Sequence, residues 1–187
     1  DNARELGYDG PTPSGSFLAG SSLVDDDLVY LGIGYKRDPG GFGLSKHFGN
    51  ARYAKLLREI KRLRPSAKFV STGTIRDTME VGYRIIAELI AGGYTDATAL
   101  YRCGFGGPSS IEHAFNTVRE CRAYLGNDTG MMHVAASLNK RTFGLFAYQD
   151  LLIKNPPFCE QSRSLYFNAD TPSIESLASD CVSFVWE

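Results

Sequence analysis

Nine consecutive residues, Asp128-Thr129-Gly130-Met131-Met132-His133-Val134-Ala135-Ala136, hold most of the recognisable chemistry of this chain. They follow the apolar stretch Ala123-Tyr124-Leu125 and lead at once into a short helical pattern through Leu138, so a strand turns directly into a helix. The unpaired N–H groups of such a helix start, with the positive end of its dipole, suit a diphosphate. Gly130 lets a ligand approach the backbone closely, and Thr129 can cap the helix or bond a phosphate oxygen. Asp128 would repel phosphate, so it is better suited to accept hydrogen bonds from sugar or ribose hydroxyls. His133 falls on the first helical turn, near the same edge. A plain capped turn with a packed histidine would use the same residue types. Asp-Thr-Gly also marks aspartic proteases, but there the triplet sits in a β-rich context and two copies must meet. A single copy ahead of a helix does not fit that class.

A second loaded loop runs from Gly32 to Phe48. Here a strand leads into a glycine-rich segment, Asp38-Pro39-Gly40-Gly41-Phe42-Gly43, and then into Ser45-Lys46-His47-Phe48. Lys46 could pair with a phosphate ahead of the next helix, although a lone loop lysine is more often just solvated. Gly32-Ile33-Gly34 lacks the third glycine of a dinucleotide fingerprint. Histidines 47, 113 and 133 show no metal spacing, and no metal is expected. Cys103, Cys121, Cys159 and Cys181 contain no Cys-x-x-Cys pair, which predicts reduced and mostly buried thiols.

These loops need strands and helices to hold them. Leu28 to Ile33 is a continuous apolar run of strand length, apolar on both faces like a central parallel strand. Tyr53, Leu56, Leu57, Ile60 and Leu63 recur at helical spacing, with Arg52, Lys55, Arg58, Lys61 and Arg62 opposite and Pro65 as a stop. That basic face reads as a solvated helix surface. Lys68 to Ser71 is a short strand. A second amphipathic helix follows, with Met79, Tyr83, Ile86 and Ile90 expected to face inward and Gly92-Gly93 at its end. Ala97 to Tyr101 is a candidate strand. Ser109 and Glu112 have the form of a capping box, opening a helix with Ile111, Ala114, Phe115 and Val118 inward. After the strand 123–125 and the loaded turn come the strand 142–146, an irregular stretch 148–163, a last strand near 165–167 and a helix over 171–179. Strands alternating with helices across short loops predict a Rossmann-like α/β domain, a mostly parallel sheet with helices on both faces. Residues 1–27, rich in turn formers, read as a linker or entry arm, and 28–187 as the domain. Ligands of such sheets collect at the carboxyl ends of the strands, where both loaded loops lie.

At 187 residues the chain suits one sizeable core. Its formal charge of -1 argues against a nucleic-acid partner, which would call for a basic surplus. No run of about 18 apolar residues is present, so no transmembrane segment is expected. The opening Asp1-Asn2-Ala3-Arg4-Glu5 has neither an initiator Met nor an apolar signal region, and suggests a piece of something larger.

Together the segments from about Leu28 to Phe146 resemble the C-terminal domain of glycosyltransferase family nine, the lipopolysaccharide heptosyltransferases. That family closes its donor site with Asp-Thr/Ser-Gly-x-x-His-x-Ala-Ala, which 128–136 matches at each specified position. The strand ending Gly144-Leu145-Phe146 also looks like the family pattern. Its first loop usually carries Ser-Lys-Arg-Trp-Pro. Ser45-Lys46-His47-Phe48-Gly49 keeps the serine, the lysine and an aromatic but not the arginine or proline. The resemblance implies one half of a two-domain GT-B fold that binds a nucleoside-diphosphate sugar, with an ADP-sugar favoured, and needs no cofactor. It implies Ser45, Lys46, Asp128, Thr129, Gly130, Met131 and His133 as donor-binding residues, with Asp77 or Glu80 as candidates for the ribose. It places the saccharide or glycolipid acceptor and the carboxylate base of an inverting transfer on an N-terminal domain. The protein would be cytoplasmic, or peripheral at the inner face of the membrane. By this reading the chain alone transfers no sugar. A non-catalytic nucleotide-binding module and a related GT-B enzyme such as a nucleotide-sugar epimerase are the competing readings.

Overall fold

The computed structural model describes residues 24–34, 47–73, 81–93, 111–148, 153, 156–167 and 172–187. Five strands form one all-parallel sheet: β1 (Asp25–Gly32), β2 (Lys68–Val70), β3 (Cys121–Asn127), β4 (Arg141–Phe146) and β5 (Ser162–Tyr166). Their spatial order is β2-β1-β3-β4-β5. Among the described residues five helices cover the sheet: α1 (Asn50–Leu63), α2 (Tyr83–Ala91), α3 (Ile111–Glu120), α4 (Gly130–Ser137) and α5 (Ile174–Trp186). The expected Rossmann-like architecture is the one observed.

The strands alternate between two apolar cores. Val29, Leu31, Ala123, Leu125, Phe143 and Leu145 bury against α1, α2 and α5. Leu28, Tyr30, Tyr124 and Phe146 bury on the opposite face with Val118, Met132 and Ala135 of α3 and α4. A sheet covered on both faces needs strands that are apolar on both faces, which is why β1 and β3 read as continuous runs.

Several elements depart from the sequence expectation. β1 runs from Asp25 to Gly32 rather than from Leu28 to Ile33. Its three aspartates are each paired: Asp25 with Lys68 at 3.0 Å, Asp26 with Arg122 at 3.1 Å, Asp27 with Arg64 at 3.0 Å. Hydrogen bonds from Lys68 to Asp25, and from Ser66 and then Arg64 to Asp27, lower both carboxyl pKa values. α1 buries Tyr53, Ala54, Leu56, Leu57 and Ile60, but leaves Leu63 exposed in its last turn. The phase of α2 is different from the expected one. Val81, Ile85 and Leu89 are buried, whereas Tyr83 and Ile90 are exposed. Both stripes satisfy helical spacing, so periodicity could not choose between them; packing against the sheet did. Ile111 is likewise exposed at the start of α3, where only Ala114, Thr117 and Val118 are buried.

α5 starts later than expected and runs seven residues past Ser179. It is capped by Ser173, whose hydroxyl accepts from the Ser176 N–H at 3.2 Å. Burial of Leu177, Ala178, Cys181 and Val185 carries it through residues of poor helix propensity. β5 covers 162–166 rather than 165–167. It is an edge strand of mixed exposure, so it has no continuous apolar run to read. Cys121 and Cys181 are buried free thiols and Cys159 is a half-buried one, as expected. Cys103, the candidate strand 97–101, Met79 and Ser109 lie outside the described residues. Among the described residues no helix is long and apolar enough to cross a membrane, and no acidic, His or Cys cluster is arranged to hold a metal ion.

Candidate functional site

The chain leaves β1 for α1 and β2 on one side, then returns through α3 to place β3 on the other side of β1. The crevice at the carboxyl ends of β1 and β3 is therefore the topological switch point, the usual ligand site of an open parallel sheet. Gly32 and Asn127 stand at those ends.

A row of small residues crosses the sheet at this level. Gly32 pairs in register with Gly126, Gly126 with Gly144, and Gly144 with Ser164. A Cβ on Gly126 would sit 2.5–2.6 Å from backbone atoms of Gly32, and a Cβ on Gly32 would sit 1.7 Å from the Tyr124 hydroxyl oxygen. The bare backbone lets the Tyr124 ring lie across β1 and reach the turn after its own strand. There its hydroxyl donates to the Asn127 carbonyl at 2.6 Å and meets Thr129 Oγ1 at 3.0 Å. Tyr30 stacks on it, ring centroids 5.9 Å apart and 16° from parallel, and contacts Thr72 Oγ1 after β2 at 2.6 Å. Two buried tyrosines thus brace the turns after β2 and β3.

On the other face Asn127 ties together the two loaded loops. It is 1 % exposed, and its Oδ1 accepts from the Tyr53 hydroxyl at 2.8 Å and from the Phe48 N–H at 3.2 Å. Its Nδ2 is buried and has no hydrogen-bond partner among the described residues. Tyr53 also reaches the Gly32 carbonyl, at 3.5 Å. The segment immediately after Lys46 is thus held against the residue immediately before Asp128. Gly49 makes this possible: with φ 102° it turns the chain into α1 where other residues would be strained.

His47 packs its ring against Tyr53, and its Nδ1 accepts from the Gly49 N–H at 3.0 Å. Burial pulls its pKa down to about 4, so it is neutral at pH 7. Unfolded, it would protonate near the ordinary 6.5. Between those values the unfolded chain binds the extra proton, so stability is greatest above about pH 6.5 and falls as pH drops toward 4. We expect this group to cost the fold roughly 1–2 kcal/mol at pH 5 relative to pH 7.5. Urea denaturation of wild type and His47→Gln at the two pH values measures it. The pH 5 deficit should shrink in the variant, and an unchanged deficit would assign it to other groups.

α4 itself begins at Gly130, with Thr129 at its N-cap in extended conformation (φ -134°, ψ 165°). Thr129 does not cap the helix with its side chain, contrary to one of the roles its type suggested. The Met132 N–H folds back on the Thr129 carbonyl at 3.0 Å, and the first N–H groups of the helix, at Gly130 and Met131, have no acceptor among the described residues. Among the described residues, nothing outside its chain neighbours and its own helix lies within 4 Å of where a Gly130 side chain would begin. Asp128, its side chain only 10 % exposed, has Oδ1 3.7 Å from Nε2 of the more exposed His133. Met131 is half-buried at the helix start.

Five of the seven expected binding residues, Asp128, Thr129, Gly130, Met131 and His133, are therefore gathered in one turn at the switch point. Ser45 and Lys46 lie outside the described residues, as do Asp77 and Glu80. Asp25 stands at the opposite, amino-terminal edge of the sheet. Residue patterns did not single out Asn127, Tyr53 or Tyr124 as organisers of the site. The only available signal was Asn127 preceding the motif, since a buried polar side chain at a strand end needs partners that sequence does not show.

A family-wide sequence profile described as glycosyltransferase family 9 (heptosyltransferase) matches residues 41–168. Lipooligosaccharide heptosyltransferase 2 of Haemophilus ducreyi is 32 % identical over 99 residues, 53 % of this chain and 26 % of that protein. Lipopolysaccharide heptosyltransferase 2 of Escherichia coli K12 is 31 % identical over 105 residues, 56 % of this chain and 28 % of that one. Among solved structures, E. coli ADP-heptose lipopolysaccharide heptosyltransferase II superposes with a TM-score of 0.62 at 18 % identity, covering 91 % of this chain and 50 % of the other. The E. coli heptosyltransferase WaaC solved with ADP gives 0.65 at 14 % identity, with 97 % and 53 % covered. The matched segment is about a quarter of the curated relatives, and the chain corresponds to about half of the solved ones. With a family profile matching most of its length and the motif 128–136 seated at the switch point of the expected fold, this chain belongs to glycosyltransferase family 9, the heptosyltransferase family.

Proposed function

We propose that this chain is the donor-binding half of an inverting family 9 glycosyltransferase, holding a nucleoside-diphosphate sugar in the crevice between β1 and β3. The observation that carries this is the start of α4, directly after Asp128-Thr129 at the switch point, where among the described residues the first N–H groups meet no acceptor and nothing beyond the helix crowds Gly130. Those N–H groups and Lys46 would hold the diphosphate and stabilise it as it leaves, an electrostatic role that needs no metal. Asp128, paired with His133, would take sugar or ribose hydroxyls. An ADP-sugar is the favoured donor, because structural neighbours were solved with ADP and with ADP-2-deoxy-2-fluoro heptose. The base and the saccharide or glycolipid acceptor are assigned to a companion domain, and the work to the cytoplasmic face of a membrane.

Titration calorimetry with ADP, UDP, GDP and their sugars tests the reading. Measurable binding, tightest for the adenine series, is expected. Silence from all of them at millimolar concentration would leave a family member that has lost its ligand. Tightest binding of UDP or GDP would retain the site and overturn the adenine assignment.

A further inference from the structure

Tyr124 has one hydroxyl proton, and its surroundings show where that proton goes. The Asn127 carbonyl, 2.6 Å away, can only accept, whereas Thr129 Oγ1 at 3.0 Å can do either. Burial pushes the Tyr124 hydroxyl pKa far up, so the proton stays on it at neutral pH. With that proton directed to Asn127, the second contact is a hydrogen bond only if Thr129 is its donor. Thr129 therefore uses its own proton internally. Its side chain accepts nothing from its helix either, so its lone pairs have no donor among the described residues. It is half-buried, beside Gly130, which no described residue beyond its neighbours and its own helix approaches within 4 Å of a built Cβ.

We propose that Thr129 accepts a hydrogen bond from a hydroxyl of the bound nucleotide sugar, on the ribose or on the transferred sugar, and that Tyr124 is the positioning residue that fixes this polarity. The inference rests on the donor-binding reading above and divides the labour within it. Thr129 cannot give a proton to a phosphate oxygen while Tyr124 holds it, so phosphate contacts fall to the N–H groups of Gly130 and Met131. Ionised Asp128 is also acceptor-only. Two adjacent side chains thus offer lone pairs to the hydroxyl-rich part of the ligand, and the backbone behind them offers donors to its diphosphate. A threonine that capped its own helix would remove one of those donors.

Calorimetry on the full chain with inorganic pyrophosphate, ADP and ADP-heptose tests this, using Thr129→Val, Thr129→Ser and Tyr124→Phe. Thr129→Val should leave pyrophosphate affinity unchanged and weaken the hydroxyl-bearing ligand roughly 3- to 10-fold, the effect of one neutral hydrogen bond. Equal loss for ADP and ADP-heptose assigns the ribose; loss confined to ADP-heptose assigns the sugar. Thr129→Ser should restore wild-type affinities. Tyr124→Phe keeps the ring but frees the threonine proton, and should narrow the preference for ADP-heptose over pyrophosphate. A Thr129→Val variant that loses pyrophosphate as strongly as the other ligands, or loses none, overturns the proposal. If wild type binds none of the three, the donor-site reading itself falls.

Discussion

Alanine at Gly126 is expected to destabilise the fold by about 3 kcal/mol, at the upper end of overpacking effects. The new Cβ would stand 2.5–2.6 Å from the N, Cα and O atoms of Gly32 on the neighbouring strand. Backbone held in a parallel ladder has no rotamer to escape into, so β1 and β3 would have to separate at their carboxyl ends. For a chain of this length the expected fall in Tm is roughly 6–12 °C. Gly144→Ala is the control. Its Cβ would meet Phe146 Cε2 at 2.8 Å and Met132 Sδ at 3.2 Å, both on side chains that can shift, so a milder loss is expected. Thermal unfolding followed by circular dichroism gives the order. If Gly144→Ala proved the more damaging, the close approach of Gly32 and Gly126 would not be what holds this edge together.

Valine at Gly130 should do the reverse, sparing the fold and removing the ligand. Gly130 has no positive φ to protect, and among the described residues nothing beyond its neighbours and its own helix lies within 4 Å of where its side chain would begin. A branched side chain there fills the space in which a diphosphate would meet the helix N–H groups. Lys46→Ala should weaken ADP binding by about 1.5–3 kcal/mol, the range for a charge-assisted hydrogen bond to phosphate, and Gly130→Val by at least as much. Both variants should melt within a few degrees of wild type. Normal ADP binding by Gly130→Val would move the ligand away from α4. Normal binding by Lys46→Ala would make that lysine a solvated one.

What was legible in the sequence was whatever depends on neighbours along the chain. Continuous apolar runs announced buried parallel strands, Pro65 ended α1, and the turn 128–136 carried its own chemistry in consecutive residues. Local patterns of this kind were enough for the fold class, for the family resemblance and for the one cluster at the head of α4. They failed where two local patterns were equally good, as in α2, whose exposed Tyr83/Ile90 stripe and buried Ile85/Leu89 stripe both have helical spacing. They failed also for α5, where poor local propensity was overridden by burial of Cys181 and Val185 against the sheet.

Tertiary structure alone decided how the site is held. Gly32 and Gly126 are 94 positions apart, yet their backbones must touch for Tyr124 to cross β1 and take hold of Asn127 and Thr129. Asn127 meets Phe48 and Tyr53 across 79 and 74 positions. The direction of the Thr129 hydroxyl, and with it what that residue can offer a ligand, follows from where one buried tyrosine proton goes. A residue type states which hydrogen bonds a side chain is able to make. Which of them it does make is set by partners that parallel strands bring together from distant parts of the chain.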